Sequence, residues 1–391
     1  MAAAFQLIVE RAMPTNTTHR GRARDFGVTI GVLPTGTNNA ITDVEGVAVG
    51  HETVWFGDGA LKPGYGPART GVTVVIPHPG NIYLDKVPAA IEVINGYGKT
   101  SGSIQVDELG TLETPIALTS TLCVGRAIDG LISHAIAQTP EIGIRTATVN
   151  AVVGECADSY LNDMQGRHVT ADHVLAAIDS ASHGSVIEGA VGAGTGMSCF
   201  EFKGGIGTAS RMIPASLGGW TVGVLVLSNF GSREQLVIDG VPVGRLLATG
   251  EEAEPERGSI MLVVATDAPA SDRQLRRIAR RAGFGLARTG SIAGNGSGDV
   301  VIAFSNNPSV RVPHYGGEWT RTADAIAESG PQASSGAIDA LFAATIEATE
   351  EAIINSLFAA ETVVGRDGNT REALPIERAL DLMHAWRSRT I

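Results

Sequence analysis

The chain has 391 residues and a mass of 40.4 kDa, with 43% hydrophobic and 18% charged side chains, proportions that exclude a disordered chain and a coiled coil. Its 29 Lys and Arg against 41 Asp and Glu leave a net charge of −12, opposite to the positive field that a nucleic-acid or anionic-membrane binder needs. Glycine is the outlier at 49 residues, about 12.5% against a usual ~7%, which calls for tight turns, close backbone contacts or backbone-lined sites; no Gly-X-Y period runs through the chain, so collagen is excluded.

In chain order, the opening MAAAFQLIVERAMPTNTTHR has a short apolar run with no basic residue before it and Glu10 soon after, a poor signal peptide. No apolar run approaches the ~18 residues of a membrane span. GVTVVIPHPG (71–80) reads as a buried strand, LCVGRAIDGLISHAIAQ (122–138) as a helix and TATVNAVVGE (146–155) as a second strand. ADHVLAAIDSA (171–181) is helical, and TVGVLVLSNFG (221–231) is a third strand. EEAEPERG (251–258) is acidic and polar, the best boundary in an otherwise undivided chain. Strands follow at SIMLVVATDAP (259–269) and GDVVIAFSNN (298–307), separated by a helix at 271–283 that opens with a capping box, Ser271 to Gln274. Two helices, 334–361 and 375–387, close the chain. Continuous rather than alternating apolarity in the strands implies sheets covered on both faces, hence sheets sandwiched by helices.

The glycines invite nucleotide motifs, and the registers refuse them. NGYGKT (95–100) ends like a phosphate-binding loop, but Val93 stands where the first glycine belongs and no strand is read leading directly into it. GAVGAGTG (189–196) would need glycine at Met197 for the dinucleotide register. No serine sits in G-x-S-x-G, and the histidines lack metal spacing; His51 and His78, beside strands, read as structural or surface residues. Cys123, Cys156 and Cys199 are odd in number, widely spaced and without a CxxC pair, which favours buried fillers in a reducing, cytoplasmic compartment. The arginines of 273–281 read as a solvated, ion-paired helix face.

What remains is the Gly258–Ser259 bond at the head of a buried strand. A serine there can attack the preceding carbonyl, shift the acyl group to oxygen and release a new N-terminal serine. Such a residue carries its own base, since an α-amine with a pKa of ~7.7–8.0 is partly neutral at working pH. An ordinary turn into a strand has the same Gly–Ser pair, so this bond alone decides nothing.

Nine blocks, in order, surround that bond: 31–51, 69–77, INGYGKTSGSIQVDELG (94–110), TPIALTSTLCVG (114–125), VVGECADSYLND (152–163), GAVGAGTGMSCFEFKGGIGTASR (189–211), LVLSNFG (225–231), GSIMLVVATDAP (258–269) and GNGSGDVVIAFS (294–305). On these the chain resembles the L-aminopeptidase D-Ala-esterase/amidase family, which includes the β-peptidyl aminopeptidases. The resemblance implies an α+β fold, a four-layer αββα sandwich like that of N-terminal nucleophile hydrolases but differently connected. It implies one domain over 1–391, cut between Gly258 and Ser259 into an α chain of 258 residues and a β chain of 391 − 258 = 133. The two chains would stay together as a tetramer of αβ units.

The implied activity is release of N-terminal amino acids (L-residues, D-alanine or β-amino acids) from peptides, amides or esters, with no metal or organic cofactor. Ser259 matches the nucleophile, while Ser297 and Asp299 match the pair that orients and polarises it; some members have Glu in place of Asp299. Asn229 matches the amide that holds the oxyanion or substrate, and Glu155 the acid that receives the substrate's free ammonium. Ala157 departs from members that carry a tyrosine there, leaving a roomier pocket without that contribution. Plainer roles stand beside these: Ser297 as a loop cap, Asn229 as a turn amide, Glu155 as half of a buried ion pair. Two other functions remain open on the sequence, an acyltransferase of the self-cleaving N-acetyltransferase type (whose nucleophile is threonine) and a non-catalytic binding protein that keeps the fold.

Overall fold

The computed structural model describes residues 19–248, 258–314, 326 and 336–389. The N-terminal stretch 1–18 and residues 251–257 of the expected boundary lie outside the described residues.

The first six strands are β1 (Ala48–Phe56), β2 (Ala68–Ile76), β3 (Asp85–Gly96), β4 (Thr111–Leu112), β5 (Ile116–Ser120) and β6 (Val152–Cys156). A short hairpin, β7 (Ser198–Cys199) and β8 (Phe202–Lys203), precedes β9 (Gly205–Met212) and β10 (Thr221–Asn229). Then come β11 (Gly258–Thr266), β12 (Ser297–Ser305) and β13 (Val312–Pro313), with β14 (Val363–Val364) and β15 (Thr370–Arg371) near the end. The helices are α1 (Ser103–Leu109), α2 (Val124–Gln138), α3 (Ala171–Asp179), α4 (Val243–Leu247), α5 (Asp272–Arg288), α6 (Ala337–Ala359) and α7 (Ile376–Arg389).

One sheet runs β1-β2-β5-β6 and the other β13-β3-β12-β11-β10-β9, with β4 beside β3. Strand alternation divides the apolar side chains into layers. Met261, Val263 and Ala265 of β11, with Leu225 and Leu227 of β10, meet Ile116, Leu118 and Val152 of the first sheet. Ile260, Leu262 and Val264 point the other way, onto Leu275 and Ile278 of α5 and Leu341 and Ile353 of α6. On the far face of the first sheet, Val72, Val74 and Val153 pack on Leu131 of α2 and Val174 of α3. Helix, sheet, sheet, helix is the αββα sandwich that the sequence led us to expect, and β10, β11 and β12 are buried on both faces.

α5 is capped as its sequence predicts: Gln274 N donates to Ser271 Oγ at 3.3 Å, and Ser271 N donates to Gln274 Oε1 at 3.1 Å. Its arginines make exposed pairs, Arg276 with Asp107 and Arg280 with Glu92, while Arg281 stacks over Phe342. Two readings need correction. The strand expected over 146–155 begins only at Val152, because Thr146 and Ala147 bond the Tyr83 hydroxyl and Asn150 N donates to Glu113 Oε1 instead of a ladder. β3 does lead directly into NGYGKT; it was hidden by Lys86, Pro88 and Glu92, though Val93 still spoils the phosphate-loop register. His51, half-buried with Nδ1 2.9 Å from Thr73 Oγ1 and pushed down to about 4 by desolvation, fits a structural place in β1.

α6 is apolar on nearly all sides yet carries buried acids, because β9 presents a fully buried Arg211 to it. Arg211 Nε lies 3.0 Å from Glu347 Oε2, and Nη2 lies 2.6 Å from Glu351 Oε2 and donates to Ile30 O at 2.7 Å. Desolvation pushes Glu351 up, but the Arg24 hydrogen bond and the Arg211 charge outweigh it and leave the carboxyl below its usual value. Its stabilisation is therefore present above the unfolded carboxylate pKa of ~4.3 and is lost as pH falls below it. Arg211→Met should lower unfolding free energy by ~2–4 kcal/mol in urea titrations at pH 7, since it takes the guanidinium from the buried Glu347 and leaves Glu351 with Arg24 alone. A loss under ~1 kcal/mol would show that the pair is not the clamp between β9 and α6.

Candidate active site

Three strands of the larger sheet bring the expected residues into one row. Asn229, the last residue of β10, is directly opposite Ser259 in the antiparallel pairing, and Ser259 is level with Gly298 in the parallel pairing with β12. Gly258 is level with Ser297. Gly258 has φ 149°, and a Cβ there would collide with the Asn229 carbonyl oxygen, so only glycine fits before Ser259. Ser259 itself is 5% exposed.

The other sheet supplies the facing wall. β6 ends in Glu155 and Cys156, and the Cys156 thiol lies beside the Ser259 side chain. Cys156 Sγ donates to Leu227 O at 3.5 Å. Burial, then the charges of Glu155 and Asp299, push this thiol well above its ordinary pKa, so it stays neutral beside the serine. Glu155 is 4% exposed and held at both oxygens: Lys99 N donates to Oε1 at 2.9 Å, and the Thr121 hydroxyl donates to Oε2. The Lys99 amide comes from the loop after β3, which crosses the end of β12. A Cβ on Gly298 would lie 2.5 Å from Tyr97 O, so this crossing too depends on a missing side chain.

Ser297 Oγ donates to Asp299 Oδ1 at 2.6 Å, both side chains being buried on one face of β12. Asn229 Oδ1 accepts from Ser198 N at 2.9 Å, and Nδ2 donates to Ala157 O at 3.0 Å. One N–H of that amide therefore remains for another acceptor. The carbonyl of Ala157 thus has a use of its own, whatever its missing side chain costs.

The structure brings together all the residues singled out from the sequence: Ser259, Asn229 and Gly258 by strand register, Ser297 and Asp299 beside them, Glu155 from across the sandwich. Sequence reading missed Cys156 as a neighbour of Ser259, treating it as filler, and did not reach Thr121, Ser198 or the Lys99 amide. The only signal was their place in polar, glycine-bearing blocks, TSTLCVG and INGYGKT among them.

Residues 39–371 match Peptidase family S58. The chain belongs to that family. It is 43% identical over 378 residues to beta-peptidyl aminopeptidase BapA of Sphingosinicella xenopeptidilytica, covering 93% of this chain and 91% of that protein. Among solved structures it resembles the PH0078 protein of Pyrococcus horikoshii OT3, with TM-score 0.85 and 52% identity over 94% of this chain and 99% of that one. It also resembles the L-aminopeptidase D-Ala-esterase/amidase of Ochrobactrum anthropi, with TM-score 0.81 and 35% identity over 93% and 98% of the two chains. That protein is described as a prototype for the serine aminopeptidases and a new variant among the Ntn hydrolase fold, and the fold described above is of that kind.

All three thiols are buried and raised by that burial, Cys123 to about 11, Cys199 to about 12 and Cys156 well above its ordinary value. Native protein at pH 8 should therefore release no thionitrobenzoate from a disulfide reagent within minutes, and denatured protein three equivalents. One fast equivalent from the native protein would contradict the site's closed, thiol-neutral geometry.

Proposed function

We propose that the chain is a self-processing N-terminal-serine aminopeptidase and amidase, and that the residues described above are its machinery. The observation that carries this reading is the row Asn229–Ser259–Gly298 facing a buried Glu155. In processing, Ser259 Oγ attacks the Gly258 carbonyl carbon, the C–N bond breaks and the departing nitrogen takes the proton that the hydroxyl gives up. Water then hydrolyses the ester, leaving a Gly258 carboxylate and a free Ser259 amine.

In turnover, Ser259 Oγ attacks the acyl carbon of the substrate's first residue while its own amine takes the hydroxyl proton and passes it to the leaving amine. The Ser297–Asp299 pair holds that amine. The spare Nδ2–H of Asn229 receives the oxyanion, worth ~3–4 kcal/mol for a well-placed donor. Water releases the amino acid. Glu155, held in place by the Lys99 amide and Thr121 hydroxyl, pairs with the substrate's ammonium and so limits attack to the first residue.

Relatives named for β-peptides and for a D-alanine ester support a reading in which β-amino acids and D-alanine stand beside L-residues as substrates. The reading extends to a cytoplasmic tetramer of αβ units. Three buried, unpaired cysteines support the reducing compartment, and exposed Val93, Tyr97, Ile104 and Phe284 support an assembly that covers apolar surface. Among the described residues, no helix is long and apolar enough to cross a membrane.

Intact mass of purified protein should show two chains divided before Ser259, and Ser259→Ala should remain one chain without aminoacyl p-nitroanilide hydrolysis. Turnover by an uncut chain, or by Ser259→Ala, would refute the mechanism. Glu155→Gln should raise KM for substrates with a free amino terminus by ~10–100-fold, as expected when a buried charge-assisted bond is lost. An unchanged KM would remove Glu155 from the ammonium site.

A further inference from the structure

One buried cation takes no part in the steps above. Lys203, the last residue of β8, is fully buried, and its Nζ donates to the carbonyl oxygens of Gly194 at 2.9 Å, Met197 at 2.8 Å and Gly204 at 2.6 Å. Three acceptors match the three N–H bonds of an ammonium, whereas a neutral amine has two. Burial pulls the group down to about 7, and the carbonyl cage replaces the water it has lost.

A structural lysine accounts for three satisfied carbonyls, but it gives no reason for their identity. The Met197 carbonyl belongs to the same peptide unit as the Ser198 N–H, and that N–H donates to Asn229 Oδ1 at 2.9 Å. Asn229 Nδ2 is the next link. The ammonium therefore heads a line of two planar amides, each with its oxygen pulled by a donor and its N–H pointing onward. Withdrawing electrons at an amide oxygen strengthens its N–H as a donor, and such chains polarise cooperatively. The Ser198 N–H also fixes the orientation of the Asn229 amide, since a flipped side chain would set Nδ2–H against N–H.

We propose that Lys203 is a positioning residue for the reaction: its ammonium, acting through the Met197–Ser198 peptide, locks the Asn229 amide and strengthens the Nδ2–H that faces the oxyanion. The inference rests on the proposed role of Asn229.

Two variants test it at different links. Lys203→Met keeps the length and removes the charge. Ser198→Pro removes the N–H in the middle of the line together with the hydroxyl that accepts from Arg371 Nε at 2.9 Å, a loss that Ser198→Ala makes alone as the control, and Met197, at φ −84° and ψ 150°, already has the conformation a residue before proline adopts. kcat and KM are measured per mature enzyme, counted by intact mass, in the wild-type and Asn229→Ala backgrounds. Each variant should lower kcat about tenfold with KM nearly unchanged, the signature of support given only in the transition state. In the Asn229→Ala background neither should lower kcat further, because the end of the line is gone. Equal losses in both backgrounds, or full kcat in Ser198→Pro, would overturn the proposal. A large loss in Asn229→Ala with both other variants fully active removes the Lys203 inference alone. Full kcat in Asn229→Ala removes the oxyanion assignment and this inference with it.

Discussion

The molecule depends on the register of three adjacent strands. β10 runs antiparallel to β11 and β12 runs parallel to it, so Asn229, Ser259 and Gly298 fall in one line across the sheet. A slip of one residue in either pairing would turn Ser259 away from the sheet-to-sheet interior and into the helix layer. The alternating burial of Ile260, Leu262 and Val264 against α5 and α6, and of Met261, Val263 and Ala265 against the first sheet, holds that register with the full weight of both cores. Ser259, second in β11, thus inherits its direction from the packing of the residues behind it.

Glycine is the second condition, and it acts at few points. Gly258 lets the chain pass the Asn229 carbonyl on its way into Ser259, and Gly298 lets the loop after β3 lie across β12 and deliver an amide to Glu155. The abundance that first looked like a nucleotide signature serves close approach of backbone to backbone around one site. The buried charges follow the same logic of satisfaction. Glu155 has two donors, Arg211 has two carboxylates, and Lys203 has three carbonyls.

The parts of the fold legible in the sequence are those whose signal is local. β10, β11 and β12 are continuous apolar runs because helices cover one face and a sheet the other, and α5 announces itself through Ser271. β9 was not legible: GIGTASRM has little apolar surface, since Gly207 lies against the α6 backbone and Thr208, Ser210 and Arg211 are buried by matching polar groups far along the chain. β3 was broken up to the eye by Lys86 and Glu92, which are half-exposed, and by Pro88, which is buried beside β4. At the site, Ser259, Asn229, Ser297, Asp299 and Glu155 were legible as candidates because whole blocks of sequence resemble a family. The Cys156 contact, the Thr121 bond and the Lys203 line were not, because they depend on which backbone group faces which side chain, and no spacing encodes that.

The central claim is that Ser259, freed at its own nitrogen, carries the acyl group during turnover. The direct measurement is to quench the enzyme during hydrolysis of an activated aminoacyl ester and map the adduct by peptide mass spectrometry. The account predicts an aminoacyl group on the hydroxyl of a peptide that begins at Ser259 with a free α-amine. An adduct on any other residue, or one on a peptide in which Ser259 is still joined to Gly258, would contradict it.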